Sequence, residues 1–426
     1  MIEKIYDLFR NSTGVCTDTR QLASGNLFFA LKGPNFNANE FAMMALDNGA
    51  LAAVIDDPSF NVPGKTVVVN DTLIALQELA KHHRASLNIP VIGITGSNGK
   101  TTSKELVHVV LSSSFNTFAT KGNLNNHIGV PLSILSITRQ HEIAIIEMGA
   151  NHIGEIAQLC TISQPTHGFI TNIGKAHIGL FGGFEGVIRA KSELYDYLIK
   201  SGGVIFINQH QEILMNMSRR MAKPVLYPEN DSFCPVEMVS ANPWVVVKSE
   251  SGKELTTQLI GSYNFDNIAT ALCVGRYFGV HEDVAFGAIA SYVPENNRSQ
   301  IVKKGTNTII LDAYNANPSS MEKALENLAQ MDAGEKVAIL GDMFELGDET
   351  DAEHRAVGLL AKKLGLNQVL FCGKHMQLAR EAFGAGHAFL TRDELINYLE
   401  KNRFSGATVL IKASRGMALE KVVEWL

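Results

Sequence analysis

What this chain lacks excludes more than its abundant residues suggest. Cysteine is sparse, with five among 426 residues (Cys16, Cys160, Cys234, Cys273 and Cys372), and no Cys-x-x-Cys occurs. That odd, widely spaced set supports neither a disulfide framework nor a zinc cluster. No apolar run is long enough to span a bilayer. The opening MIEKIYDLFRNSTG carries charges where a secretion signal needs an apolar stretch. An excess of one charge is missing too. Lys and Arg number 37 against 43 Asp and Glu, a formal charge of −6, so nothing favours nonspecific contact with nucleic acid or a membrane surface. These absences point to a reducing, cytoplasmic compartment. A phosphorylated ligand would have to find its positive charge locally.

The length exceeds one ordinary core. Strand-like runs alternate with helix-like stretches, which predicts an α/β protein. We place the first domain over 1–87, a central domain over 88–293 and a doubly wound C-terminal domain over 294–426. Short pieces between about 224 and 260, among them PVLYP and WVVVKS, read as an antiparallel insert. The polar SYVPENNRSQ reads as a hinge.

The most specific local signal is PVIGITGSNGKTTSKELVHVVL, a β-branched strand, a glycine loop and a helix opening at Thr101 or Thr102. Gly96 and Gly99 let the backbone turn so that N–H groups around Ser97 and Asn98 face one concavity at a helix N-terminus. Lys100 reaches the β- and γ-phosphates and the Thr101 hydroxyl a Mg²⁺ ion, with Thr102 next in the loop. The strict spacing fails because Ile94 stands where the first glycine belongs; the shorter Gly-x-x-Gly-Lys-Thr remains. In an open parallel sheet, ligands lie beyond the carboxyl ends of strands. Glu147, Asp312 and Asp342 each end a strand-like run, and we expect all three at one cleft. His177 follows another such strand. His127 and His152 read as hydrogen-bonding residues.

One helical stretch, FEGVIRAKSELYDYL, has a residue out of pattern: Lys191 shares the apolar stripe of Val187, Leu194 and Leu198. Its stem could lie along apolar surface with the charge lifted to water. Alternatively, apolar surroundings depress its pKa, and the neutral amine adds CO₂ to become a two-oxygen carbamate suited to a hard metal.

Taken in order, GITGSNGKTT, GNLNNHIGVPLSIL, EMGANHIGEI, TNIGKAHIGLFGGFEGVIRAKSEL, DAYNANPSSM, LGDMFELGDETDAEHRAVG and KASRGMALE cover almost the whole chain. Together they resemble the Mur ligases of peptidoglycan synthesis. DAYNANPSSM and LGDMFELG resemble the branch that joins D-Ala-D-Ala to UDP-MurNAc-tripeptide. The resemblance implies a three-domain architecture, with a UDP-substrate domain, an ATP-binding phosphate-loop domain and a Rossmann-like domain, working as a monomer. It implies ATP-dependent amide synthesis through an acyl phosphate, with Mg²⁺ and a carbamylated Lys191. It also implies metal-site roles for Thr101, Glu147, His177 and Lys191, and adenine-side packing by Asn264 and Asn267. Asp312 would contact the ribose, with Tyr314, Asn315 and Asn317 near the nucleotide and Arg298 on the phosphate side. Asn123, Asn125 and Asn126 would face the muramoyl-peptide, and Thr17, Asp18 and Arg20 the UDP end. Tyr263 departs from the pattern, standing where many relatives have histidine.

Other readings leave features unexplained. A sibling ligase adding the third amino acid should show a string such as Asp-Asn-Pro-Arg, and none occurs. A folate polyglutamylating ligase shares the loop but not DAYNANPSSM. A switch ATPase usually ends a strand in paired acids, where IAIIEMG offers one. A sugar-nucleotide-binding module has no use for both Lys100 and Lys191.

Overall fold

The structure is a computed structural model that describes residues 1–175 and 178–426. Its element order is α/β throughout, gathered on three large sheets. The first is four-stranded and parallel, in the order Val15–Cys16, Leu27–Phe29, Ala52–Ile55, Thr66–Val68. Leu27, Phe28 and Phe29 are buried on both faces, as a parallel strand with helices on each side requires.

The second sheet has six parallel strands, with Val91–Thr95 between His167–Ile170 and Ile143–Glu147. Chain order reverses at that strand, so a crevice opens at its carboxyl end, where Gly96 begins the glycine loop. PVLYP corrects the sequence reading. Val225–Tyr227 pairs in parallel with Val204–Asn208 at this sheet's edge, and the antiparallel insert is the three-stranded sheet from Val236–Ala241 to Glu254–Ile260. A short strand flanked by proline has the same pattern in either orientation.

The third sheet has six strands. Gln300–Lys304 runs antiparallel at one edge, and Ala407–Lys412 lies between Asn307–Asp312 and Glu335–Gly341. The chain's last strand is therefore near the sheet's middle, and its end meets the end of a strand 100 residues earlier, Lys412 beside Asp312.

Arg84 joins the first domain to the second. It lies in the last turn of the helix Thr72–Ala85, is buried, and donates to the carbonyls of Ser163, Leu87, Ile89 and Gln164. Arg84→Met keeps the stem but leaves those acceptors unpaired. It is expected to cost about 2 kcal/mol locally, read as faster amide exchange over residues 72–90 than elsewhere.

Candidate active site

The glycine loop is shaped by collisions as well as by turns. Gly96 has φ +142° and an added Cβ would strike Thr171; Gly99 has φ +78° and an added Cβ would strike Asn267. The loop is braced from behind. Ser97 N–H donates to Asn172 O at 3.0 Å and Asn98 N–H to Asn172 Oδ1 at 3.1 Å, while Thr171 Oγ1 donates to Asn98 O at 2.6 Å. This narrows the expected anion cradle. Ser97 and Asn98 spend their N–H groups on the neighbouring strand end. The donors left for a phosphate are those of the first turn of Lys100–Ser112, which has Gly99 as its N-cap. The helix thus opens at Lys100, ahead of the expected Thr101 or Thr102.

Lys100 Nζ folds onto the loop, donating to Gly96 O at 2.7 Å and Ser97 O at 3.2 Å. Burial lowers its pKa most; Glu147 pulls it up and Arg298 pushes it down. Thr101 Oγ1 donates to Glu147 Oε2 at 3.0 Å, and Asn125 Nδ2 to Glu147 Oε1 at 2.8 Å. Lys104, buried and unremarked in the sequence, stands 3.9 Å from the same carboxylate. Its position on the helix, one turn after Lys100, was the available signal.

Lys191 lies on the helix Phe184–Ser201 with Val187, Leu194 and Leu198, all buried as the stripe predicts. It is only 2 % exposed, so it does not lift its charge to water, and its Nζ stands 5.3 Å from the centre of the Phe181 ring. Burial, helped by Lys100, brings its pKa down to about 7, against the weaker upward pull of Glu155 and Glu193. His177 lies outside the described residues.

The loop, Glu147 and Lys191 share one cavity of about 450 Å³ with residues from the C-terminal sheet. Asp312, Tyr314, Asn315 and Asn317 line its far wall, and Arg298 crosses toward the loop with its guanidinium 3.7 Å from the Tyr314 ring centre. Asn317 caps the helix Pro318–Gln330 and donates through Nδ2 to Asn98 Oδ1 at 2.7 Å, binding the loop directly to the last domain. Asn264 and Asn267 complete the wall. Asn267 accepts from Ser103 Oγ at 2.8 Å and donates to Asn264 Oδ1 at 2.8 Å.

Family models match the Mur ligase middle domain over 94–275 and the Mur ligase glutamate ligase domain over 297–415. A UDP-N-acetylmuramoyl-tripeptide–D-alanyl-D-alanine ligase of Bacillus subtilis is 35% identical over 96% of this chain and 92% of its own. The chain belongs to the Mur ligases, in their MurF branch. The Escherichia coli ligase of the same name is 34% identical over 97% of this chain and 93% of its own. Among solved structures, MurF from Acinetobacter baumannii superposes with a TM-score of 0.88 at 29% identity, covering 100% of this chain and 98% of its own. MurF from Thermotoga maritima, in complex with ADP, gives 0.86 at 26%, covering 98% and 97%.

Not every expected residue of this Mur ligase meets the cavity. Asp342 does not. Its Oδ1 accepts from the backbone N–H of His375 and Met376, so this strand-end acid anchors the start of a helix instead of facing the cleft. Asn125 and Asn126 line the cavity while Asn123 lies outside it, exposed. Asn126 spends its side-chain oxygen on Ile128 and Gly129 N–H. Thr17, Asp18 and Arg20 belong to the first domain, away from the cavity, and Asp18 pairs with Arg20 at 2.7 Å. His127 lines the cavity, and His152 is paired with Glu155 at 3.0 Å. Sequence reasoning missed Asp266, Ser299, Lys323 and Lys412 in the lining. Of these only Lys412, a cation ending an apolar strand, carried a visible signal.

Proposed function

We infer that this Mur ligase joins D-Ala-D-Ala to UDP-MurNAc-tripeptide, converting ATP to ADP and phosphate. The observation that carries the reading is the meeting in one cavity of the phosphate loop, Glu147 and, from the other domain, Arg298. A terminal carboxylate oxygen of the tripeptide attacks the γ-phosphorus, the bond to the β-phosphate oxygen breaks, and ADP leaves. The amine of D-Ala-D-Ala then attacks the acyl carbon of the resulting acyl phosphate. The carbon–oxygen bond breaks, phosphate departs, and the amine releases a proton.

Carboxylate and triphosphate repel each other, so cations must hold them together. Lys100 on the loop and Arg298 across the cavity supply that charge in a chain whose formal net charge is −6. The Asn98–Asn317 hydrogen bond holds the loop and the last domain together around the reactants, which keeps water from the acyl phosphate. Asn264 and Asn267 pack on the adenine side and Asp312 on the ribose, with Tyr314 and Asn315 alongside. Asn123, Asn125 and Asn126 face the muramoyl-peptide, and Thr17, Asp18 and Arg20 the UDP end.

The residues present fit a hard divalent cation. The Thr101 hydroxyl and the buried Glu147 carboxylate are oxygen donors already 3.0 Å apart. Mg²⁺ held there would neutralise charge on the phosphates; His177 is assigned to the same site. Lys191 fits such an ion as its carbamate, because an ammonium would repel it. We assign it a monomer as its working unit. With nucleotide substrates, we assign it to the cytoplasm. No helix among the described residues is long and apolar enough to cross a membrane.

The test is phosphate release from ATP, with tripeptides ending in lysine or meso-diaminopimelate. Release is expected only when a tripeptide and D-Ala-D-Ala are both present. Equal release without either partner would overturn the reading in favour of a switch ATPase.

A further inference from the structure

Three of the four residues from Asn296 to Ser299 hold left-handed backbone without being glycine: Asn296 at φ +63°, Asn297 at +57° and Ser299 at +50°. Such a run is sterically unfavourable and persists where surrounding contacts over-determine it. The remaining one is Arg298, whose guanidinium lies on Tyr314 and whose buried Nε has no hydrogen-bond partner. The strain thus sits on either side of the one arginine that crosses the cavity.

One contact that holds the turn leads to an ion pair with a buried ammonium and a partly exposed carboxylate. Ser299 N–H donates to Asp312 Oδ1 at 3.2 Å, and the Ser299 and Tyr263 hydroxyls are 2.8 Å apart. Asp312 Oδ2 accepts from Lys412 Nζ at 2.6 Å, and the same ammonium donates to Asn315 O at 3.3 Å. Lys412 is 2 % exposed, ends a strand near the middle of the sheet, and is the register partner of Asp312. It therefore grips the segment that carries Tyr314 on both sides of that ring. Tyr263 reaches in from the start of the helix Asn264–Tyr277, so the chain of contacts runs from the central domain to the last.

We propose that Lys412 is a positioning residue: by holding Asp312 it fixes the left-handed turn at Ser299, and together with Tyr263 it sets Arg298 over the cavity. Stability is a weak reason for an ammonium here, because a lysine this deeply buried in an ion pair is commonly matched or bettered by an apolar residue of the same volume. Placement does. Asp312 is kept in one orientation, with one oxygen on Lys412 and the other on the turn. The proposal rests on the ligase reading above.

Lys412→Met, Tyr263→Phe and the double variant test it, each compared with the parent by initial rates and by trypsin digestion read by mass spectrometry. If the parent fails to release phosphate with both acceptor substrates, the ligase reading falls and digestion alone decides the proposal. Lys412→Met is expected to lower kcat about tenfold or more, with KM for D-Ala-D-Ala within about twofold. Tyr263→Phe should lower kcat about threefold, and the double variant should be no worse than Lys412→Met, since both act through Ser299. Cleavage after Arg298 should quicken in all three. Parental kcat with parental digestion in Lys412→Met overturns the proposal, as do losses that multiply in the double variant. Should thermal unfolding show that Lys412→Met does not fold, Tyr263→Phe removes only a hydroxyl and decides the matter by its own kcat and digestion.

Discussion

Lys100→Met is expected to lower turnover by roughly 10²- to 10³-fold while leaving the protein at least as resistant to heat as the parent. The two effects have one cause. Lys100 Nζ rests on two carbonyl oxygens of its own loop, and burial together with Arg298 already pushes its pKa down. The folded protein thus holds a cation whose burial outweighs its two loop hydrogen bonds and the pull of Glu147 until anions arrive. Methionine keeps most of the stem's volume and removes the charge, so without bound anions the protein sheds a desolvated ammonium at the cost of its two hydrogen bonds to Gly96 O and Ser97 O. With ATP and the tripeptide carboxylate bound, the same removal leaves two anions facing each other with one neutralising group fewer. Initial rates and a thermal melt of the same preparation separate the two sides. A variant that keeps a tenth or more of parental turnover would show that the remaining positive charge, Arg298 included, suffices. A variant that melts well below the parent would show that the Lys100 stem is structural.

The parts of this site that were legible in the sequence are those where one residue type alone meets a local demand. Gly96 and Gly99 sit where a Cβ would collide, Thr101 stands one residue after the lysine, and Glu147 ends an all-apolar strand. Lys191 was visible because the stripe around it is apolar at helical spacing, and the structure buries it there. Illegible were features that depend on two distant segments coming into register. Asp312 and Asp342 look alike as acids ending strands. Only the sheet order places one beside Lys412 and the cavity, and the other against a helix start. The Asn98–Asn317 bond spans 219 residues and leaves no trace in either motif. Likewise, the insert was legible as antiparallel, but not that its first piece belongs to the parallel sheet.

Lys191→Ala is expected to lose about 10³-fold in turnover, and added bicarbonate is not expected to restore it. The case begins from the free lysine. Its pKa of about 7 in the fold, against 10.5 for an ordinary lysine, means that the native state binds fewer protons than the unfolded chain between those values. Burying Lys191 therefore costs most below about pH 7, and the cost fades as pH rises toward 10.5. Lys191→Met should accordingly gain stability over the parent at pH 6 and lose that advantage by pH 10. In the same window the amine is mostly neutral and can take up CO₂, forming an N–C bond, releasing one proton and becoming an anion with two oxygens. ¹³C-labelled bicarbonate should then give a carbamate resonance in the parent, stronger at pH 8 than at pH 6 and absent from Lys191→Ala, whether or not ATP is supplied. An alanine variant with near-parental turnover would make the lysine a tolerated packing residue. A resonance of equal strength in the alanine variant would assign the signal to another amine. If turnover falls but no resonance appears at either pH, Lys191 acts as an amine, and a further oxygen ligand for the proposed metal beside Thr101 and Glu147 must be sought among Glu155 and Asp266, which line the same cavity.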